Sequence, residues 1–411
     1  MRIRSVTIGA NVTYPLRASR FRAFDRFQKL ARGRFEGAGL EVQTIRLATQ
    51  PFPDVLCGPG ARDAVAFAQQ LEAGCRDHGV DYCSIGPVLA THRDVDLDYI
   101  DVIPRVIQQT KAVFASVLPA ARRDGIHLAA IQRSAQAIRD IAHVEPNGFG
   151  NLRFAVLANC GPGSPFFPAA YHGGQDDSFT IATESADLAV GAFTAAGTLD
   201  EARQRLRQAV EGAAQVIEGV CRDLERESQI RFGGIDFSLA PYPEQSRSVG
   251  HAMEKLGVDC LGASGTLFAT AIITGVLREA RFPRCGFSGV MLPVLEDSTL
   301  AARSTEGTYT LDSLLLYSAV CGTGLDTIPL PGDVSANELA AILLDVAALA
   351  LTLDKPLTAR LMPIPGRMAG EMTDFDFPYF ANARVLEAKR CGARRVFDKT
   401  AFMEWFTGRS A

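Results

Sequence analysis

The chain lacks the usual metal and redox arrangements of cysteine. Its nine cysteines, Cys57, Cys75, Cys83, Cys160, Cys221, Cys260, Cys285, Cys321 and Cys391, form no Cys-x-x-Cys pair. That spacing excludes a zinc ribbon or iron–sulfur signature and leaves reduced, mostly buried thiols as the expectation. Basic charge is also wanting: 42 Lys and Arg stand against 46 Asp and Glu, a net charge of −4. With no basic stripe interleaved with aromatics, no nucleic-acid partner is expected. No apolar run has the length of a membrane span; the longest helical stretch, Leu339 to Leu353, is interrupted by Asp345. The opening residues Met1 to Gly9 are too short an apolar run for a signal peptide, so no membrane partner and a cytoplasmic location are expected. No Gly-x-Gly-x-x-Gly follows the first strand pattern and no Gly-x-x-x-x-Gly-Lys-Ser/Thr occurs. These absences argue against a nicotinamide cofactor and a P-loop nucleotide site.

What is present reads as an ordinary globular α/β chain, 47% hydrophobic and 21% charged. Strand patterns fall at Ser5 to Ile8, Val42 to Leu47, Tyr82 to Ile85, Leu152 to Leu157, Gly234 to Leu239, Cys285 to Val294 and Thr358 to Pro363. Helical spacing marks Phe21 to Ala38, Gly60 to His78, Val102 to Ala121, Ser134 to His143, Ser185 to Thr194 and Leu199 to Glu227. Alternation without a linker predicts one domain over residues 1–411, with a largely parallel sheet, open or closed into a barrel.

In such folds ligands bind beyond the C-terminal ends of the strands. The most unusual segment there is Asn159-Cys160-Gly161-Pro162-Gly163-Ser164-Pro165-Phe166-Phe167-Pro168. Gly and Pro forbid regular structure, and two adjacent phenylalanines predict a loop folded inward to line a cavity. Taken together, Asn11-Val12-Thr13-Tyr14-Pro15, Thr44 to Pro53, Pro162 to His172, Gly233 to Pro241 and Pro331-Gly332-Asp333-Val334-Ser335 resemble the DUF711 (UPF0210) family of uncharacterised proteins over roughly residues 1–370. The resemblance implies a ten-stranded β/α barrel related to the glycyl-radical enzymes such as pyruvate formate-lyase, with a loop entering the barrel. The glycyl-radical motif itself is missing: Arg395-Val396-Phe397-Asp398 has no Gly or Tyr in place. Radical chemistry is therefore not expected. Residues 377–411 depart from the family form and make a divergent C-terminal segment.

Candidate catalytic groups are Asp236, Glu296, His172 and Cys160. Asp236, Glu296, Asp297, Asp326 and Asp333 follow or interrupt strand-like runs, so a barrel gathers acids at one mouth. Such acids suit general acid/base work or a shared hard cation such as Mg²⁺, the one cofactor considered. Asp236, set among apolar residues, is either functional or part of a structural ion pair. Asp297 and Asp333 are also placed to cap the helices that follow. Candidate ligand-binding residues are Asn11, Arg46, Asn159, Glu184, Ser185, Asp333, Ser335 and Arg367. Arg46 needs either a carboxylate partner such as Asp236 or a bound anion. The helix starts at Ser185 and Ser335 offer backbone donors. His172 follows the inward loop, whereas His78, His92, His127, His143 and His251 are expected at the surface. The resulting expectation is an enzyme of unknown reaction, of lyase, hydrolase or isomerase type, acting on a small polar or anionic metabolite. The alternatives are a non-catalytic metabolite-binding or regulatory barrel, and thiol chemistry through Cys160. A symmetric homo-oligomer is the expected assembly.

Overall fold

A computed structural model describes residues 1–56 and 60–406; Cys57 and the last residues of the segment 377–411, expected to be divergent, lie outside them. Its frame is one mixed sheet of eleven strands. These are β1 (Arg2–Ala10), β2 (Val42–Thr49), β3 (Tyr82–Leu89), β4 (Val113–Ala121), β5 (Gly125–His127), β6 (Phe154–Ala158), β7 (Ser178–Glu184), β8 (Arg231–Ala240), β9 (Gly324–Pro331), β10 (Leu357–Ile364) and β11 (Phe402–Met403). The spatial order is β8-β7-β1-β2-β3-β4-β6-β10-β9, with β5 on β4 and β11 on β5. Strands β1, β2, β3, β4 and β6 run parallel. The parallel pair β7 and β8 lies antiparallel to β1, and the parallel pair β9 and β10 lies antiparallel to β6.

The expected ten-stranded barrel is thus not what is observed: the sheet has eleven strands and is not closed. The segment Cys285 to Val294 is not a strand either. It runs between the two outer strands and touches each through single bridges, Leu239 with Val290 and Pro293 with Asp326. Asp236 holds this segment in place. Its carboxylate is fully buried and accepts from Phe287 N (2.7 Å), Ser288 N (2.8 Å) and the Ser238 hydroxyl (2.7 Å). Burial raises its proton affinity, opposed by these donors.

Two further expectations fail locally. Val102 to Ala121 is not one helix: the helix Ile103–Gln109 closes at Thr110, whose hydroxyl donates to Val106 O, and β4 follows. An apolar run such as Val113 to Leu118 carries no period that separates buried strand from buried helix. Strand β7, Ser178–Glu184, is absent from the predicted elements: its sequence SFTIATE has neither a continuous apolar run nor a clean alternation, although all seven residues are buried. The helix Ala336–Leu353 is long and apolar enough to cross a membrane by composition, but Leu339, Leu343 and Val346 are buried and it packs on the helix Leu128–Ala142.

Gly286 has φ +60°, and a Cβ there would stand 2.1 Å from Asp236 Oδ2. Gly286→Ala is expected to lower stability by about 2–4 kcal/mol, because both the left-handed backbone and the contact are penalised. Urea denaturation measures this, and an unchanged midpoint contradicts the role given to the Asp236 tether.

Candidate functional site

Residues 164–172 of the inward loop are buried against the sheet. The Thr7 hydroxyl donates to Pro165 O (3.0 Å), the Ser84 hydroxyl to Ala170 O (2.8 Å), and His172 N to Thr49 O (2.9 Å). Phe166 and Phe167 form one wall of a cavity of about 110 Å³. Strands reach it with Arg4 of β1, Arg46 of β2, Tyr82 of β3, Phe114 of β4, Asp326 of β9 and Arg360 of β10. Glu296 lies just beyond the bridging segment, and Phe377, Tyr379 and Phe380, in the irregular chain that follows β10, cover the space. The cavity is not at a common C-terminal edge. Arg4, Tyr82 and Phe114 stand at the beginnings of their strands, while Ala240 is the last residue of β8. Asp326 and Arg360 likewise lie in the first halves of β9 and β10, so the cavity faces mostly strand starts and the usual rule for parallel sheets does not apply.

The charged residues sit where the ladder is irregular. Between β1 and β7 the register shifts at Ile3/Ser5, leaving Arg4 as the extra residue. Between β9 and β10 it shifts so that Asp326 and Thr327 oppose Arg360, with Thr327 at φ +44°. Bulges of this kind turn a side chain out of the two-residue alternation, and strained backbone concentrates near functional sites. The result is a chain of ion pairs. Glu296 accepts from Arg4 Nη2 at 2.5 Å and from Arg360 Nη2 at 2.7 Å, while Arg360 Nε donates to Asp326 Oδ1 at 2.6 Å. Glu184, at the end of β7, is buried beside this chain, 3.9 Å from Arg4 and 2.6 Å from Arg247.

The two cavity carboxyls are driven in opposite directions. Burial favours protonation of both, but the Arg360 and Arg4 guanidiniums outweigh it at Glu296 and hold that carboxyl below the ordinary range. At Asp326 burial prevails over the attraction of Arg360, and the negative Glu296 adds to the rise. Arg46 differs from the other guanidiniums. Its Nε donates to Thr44 Oγ1 (2.9 Å), its charge lies over the rings of Phe167 (5.3 Å) and Tyr82 (5.8 Å), and it forms no ion pair with the described residues. Burial, aided by the positive Arg4, pulls its pKa down to about 10. The carboxylate Asp236 is therefore not its partner.

The other predicted residues are dispersed. Cys160 does not line the cavity but is buried behind Ala155 and Ala169 of its wall, donating to Leu357 O (3.3 Å), and burial pushes its thiol up to about 12. His172 lies against Gly9, about 17 Å along β1 from Arg4 at strand spacing. Burial lowers its proton affinity, and its Nε2 has no partner among the described residues. Asn11 ties down Gly174 O, Asn159 bonds Asp354, and Ser185 bonds Ser238 O. Asp333 pairs with Arg390 instead of capping a helix; Ser335 is the cap, in a reciprocal pair with Glu338. Asp297 does cap its helix. Arg367 pairs with Asp374 at the surface, and His127, expected at the surface, is a buried cap. Among the described residues no three His, Cys, Asp or Glu side chains gather into a metal site. Glu296 and Asp326 are both committed to Arg360, so the Mg²⁺ arrangement does not fit them. Missed in the sequence were Arg4 and Arg360, although each is a charge inside an apolar strand, the signal that marked Arg46.

A family model described as "Uncharacterised ACR (DUF711)" matches residues 1–382. The chain belongs to the DUF711 (UPF0210) family. It is 35% identical over 366 residues to a UPF0210 protein of Pyrobaculum arsenaticum, covering 86% of this chain and 80% of the relative. A UPF0210 protein of Neisseria meningitidis serogroup C is 28% identical over 347 residues, covering 82% and 77%. One of Lactobacillus delbrueckii subsp. bulgaricus is 27% identical over 357 residues, covering 84% and 79%. The family match includes every charged residue of the cavity and ends just beyond Phe380.

The Glu296 clamp has a pH signature. A carboxyl held low in the folded chain stabilises it fully above the unfolded value of about 4.3, and that contribution is lost as pH falls through the folded value. Asp326, raised by burial, acts in the opposite sense. Glu296→Gln is expected to lower stability by about 3 kcal/mol at neutral pH, leaving two guanidiniums without a counter-charge. It is also expected to flatten the acid limb between about pH 5 and pH 3. Urea titrations across that range check both, and equal slopes in variant and parent contradict the clamp.

Proposed function

We propose that this chain is an enzyme that binds a small organic anion at Arg46 and performs acid–base chemistry beside it, of lyase, hydrolase or isomerase type and without a radical step. The carrying observation is the guanidinium of Arg46, which lines the cavity and forms no ion pair with any carboxylate among the described residues. A cation in such surroundings is unfavourable until an anion completes it. Asp326 and Glu296 supply the proton handling. Two carboxyls whose surroundings drive their proton affinities apart are the arrangement that separates an acid from a base. Asp326 is the donor and Glu296 the ionised acceptor, with Arg360 between them. The bridging segment, touching both outer strands, supports a barrel-like enclosure that keeps water from this chemistry.

A second reading, a non-catalytic metabolite-binding protein, is favoured by one feature. Both oxygens of Glu296 are engaged by arginines, which weakens it as a base. Melting temperatures in the presence of small carboxylates separate the outcomes. The parent is expected to gain about 2.7 kcal/mol of stability at a hundred times the dissociation constant, and Arg46→Gln to lose that gain. Asp326→Asn is expected to keep the gain while lowering turnover by about 10²-fold or more. A metabolite that co-purifies and is recovered unchanged after prolonged incubation supports the binder; a gain that survives Arg46→Gln overturns both.

A further inference from the structure

The cavity's walls carry more information than its charges. Beyond Arg46 they are mostly aromatic and apolar, and part of them comes from Phe377, Tyr379 and Phe380 in the irregular chain after β10. Phe377 is the centre of a packed group: its ring lies 5.1 Å from Phe149, 5.3 Å from Tyr379 and 5.2 Å from Phe380. Tyr379 continues to Tyr242 at 5.8 Å, and the Arg247 guanidinium lies 3.8 Å above that ring. The backbone fixes this cover beside the acids, since Ala381 N donates to Leu295 O at 2.7 Å, one residue before Glu296. Phe114 and Phe167, which line the same cavity, meet edge to face at 5.2 Å. A lining this rich in rings makes a slot suited to a planar apolar body.

The pairing at the head of the slot limits the anion. Arg4 and Arg360 are engaged by Glu296 and Asp326, so Arg46 is the one cavity guanidinium with no ion pair among the described residues. The Nη atoms of Arg46 make no hydrogen bond with the described residues, while its guanidinium carbon lies 5.3 Å from the Phe167 ring centre and 5.8 Å from that of Tyr82. The Nε bond to Thr44 and these ring contacts hold the group and leave the Nη fork free, an arrangement that can take a carboxylate through two parallel bonds.

We infer that the ligand of this site is an aromatic monocarboxylate, its carboxylate on the fork of Arg46 and its ring between Phe167 and the cover formed by Phe377 and Tyr379. This rests on the anion-binding reading of Arg46 and adds the ligand class and the residues that select it. Ligand-observed NMR with phenylacetate, acetate and benzyl alcohol tests it. Phenylacetate is expected to bind about tenfold more tightly than acetate. Tyr379→Ala, at a half-exposed position, and the milder Phe377→Leu are each expected to remove most of that preference while leaving acetate unchanged. Equal binding of acetate and phenylacetate, or cover variants that weaken both alike, overturns the ligand class and leaves the anion site standing. Benzyl alcohol binding as tightly as phenylacetate, or acetate binding unaffected by Arg46→Gln, overturns the anion site itself.

Discussion

The interaction on which the rest depends is the Glu296 carboxylate held between Arg4 and Arg360. It joins β1 to β10 through a residue that belongs to neither, and Arg360 extends the link to Asp326 of β9. Strands β1 and β10, which the ladder joins only through β2, β3, β4 and β6, are thereby also tied directly across the interior by charge. Burying these groups opposes folding by several kcal/mol per ion, and close pairing offsets it. Such a cluster is a poor way to gain stability compared with packed hydrocarbon. It occupies Arg4 and Arg360 and leaves Arg46 as the cavity guanidinium outside the network.

Backbone irregularity is what makes the cluster. The register shifts at Arg4 and at Asp326-Thr327 opposite Arg360 turn charged side chains inward where regular alternation would not. Asp236 plays the complementary part, using backbone N–H donors to hold the bridging segment that leads to Glu296. The two acids therefore have separate duties: Asp236 positions backbone, and Glu296 meets the cavity.

Much of the frame was legible in the sequence. Strands β1, β2, β3, β6, β8 and β10 show apolar runs with clear boundaries, and the inward turn of the Phe166-Phe167 loop follows from its composition. Strands buried on both faces were harder, because β4 and β7 lose the alternation that distinguishes strand from helix. At the site, Arg46 and Glu296 were legible as charges in apolar settings. Arg4 and Arg360 carry the same signal, but their inward direction depends on bulges that no residue pattern announces. The prior that sites lie at C-terminal strand ends drew attention to Asn11, His172 and Arg367, which the mixed sheet places away from the cavity. The aromatic cover was invisible because Phe377, Tyr379 and Phe380 lie in irregular chain, whose path follows from tertiary packing alone.

The proposed site turns on Arg46, a cation with no ion pair among the described residues, at the head of an aromatic slot. A crystal structure of the protein soaked with 4-bromobenzoate is the sharpest test, because the bromine locates one end of the ligand by anomalous scattering. The carboxylate is expected on the Arg46 fork and the bromine beneath Phe377 and Tyr379. A ligand bound elsewhere, or Arg46 found paired with a carboxylate of the chain, contradicts it.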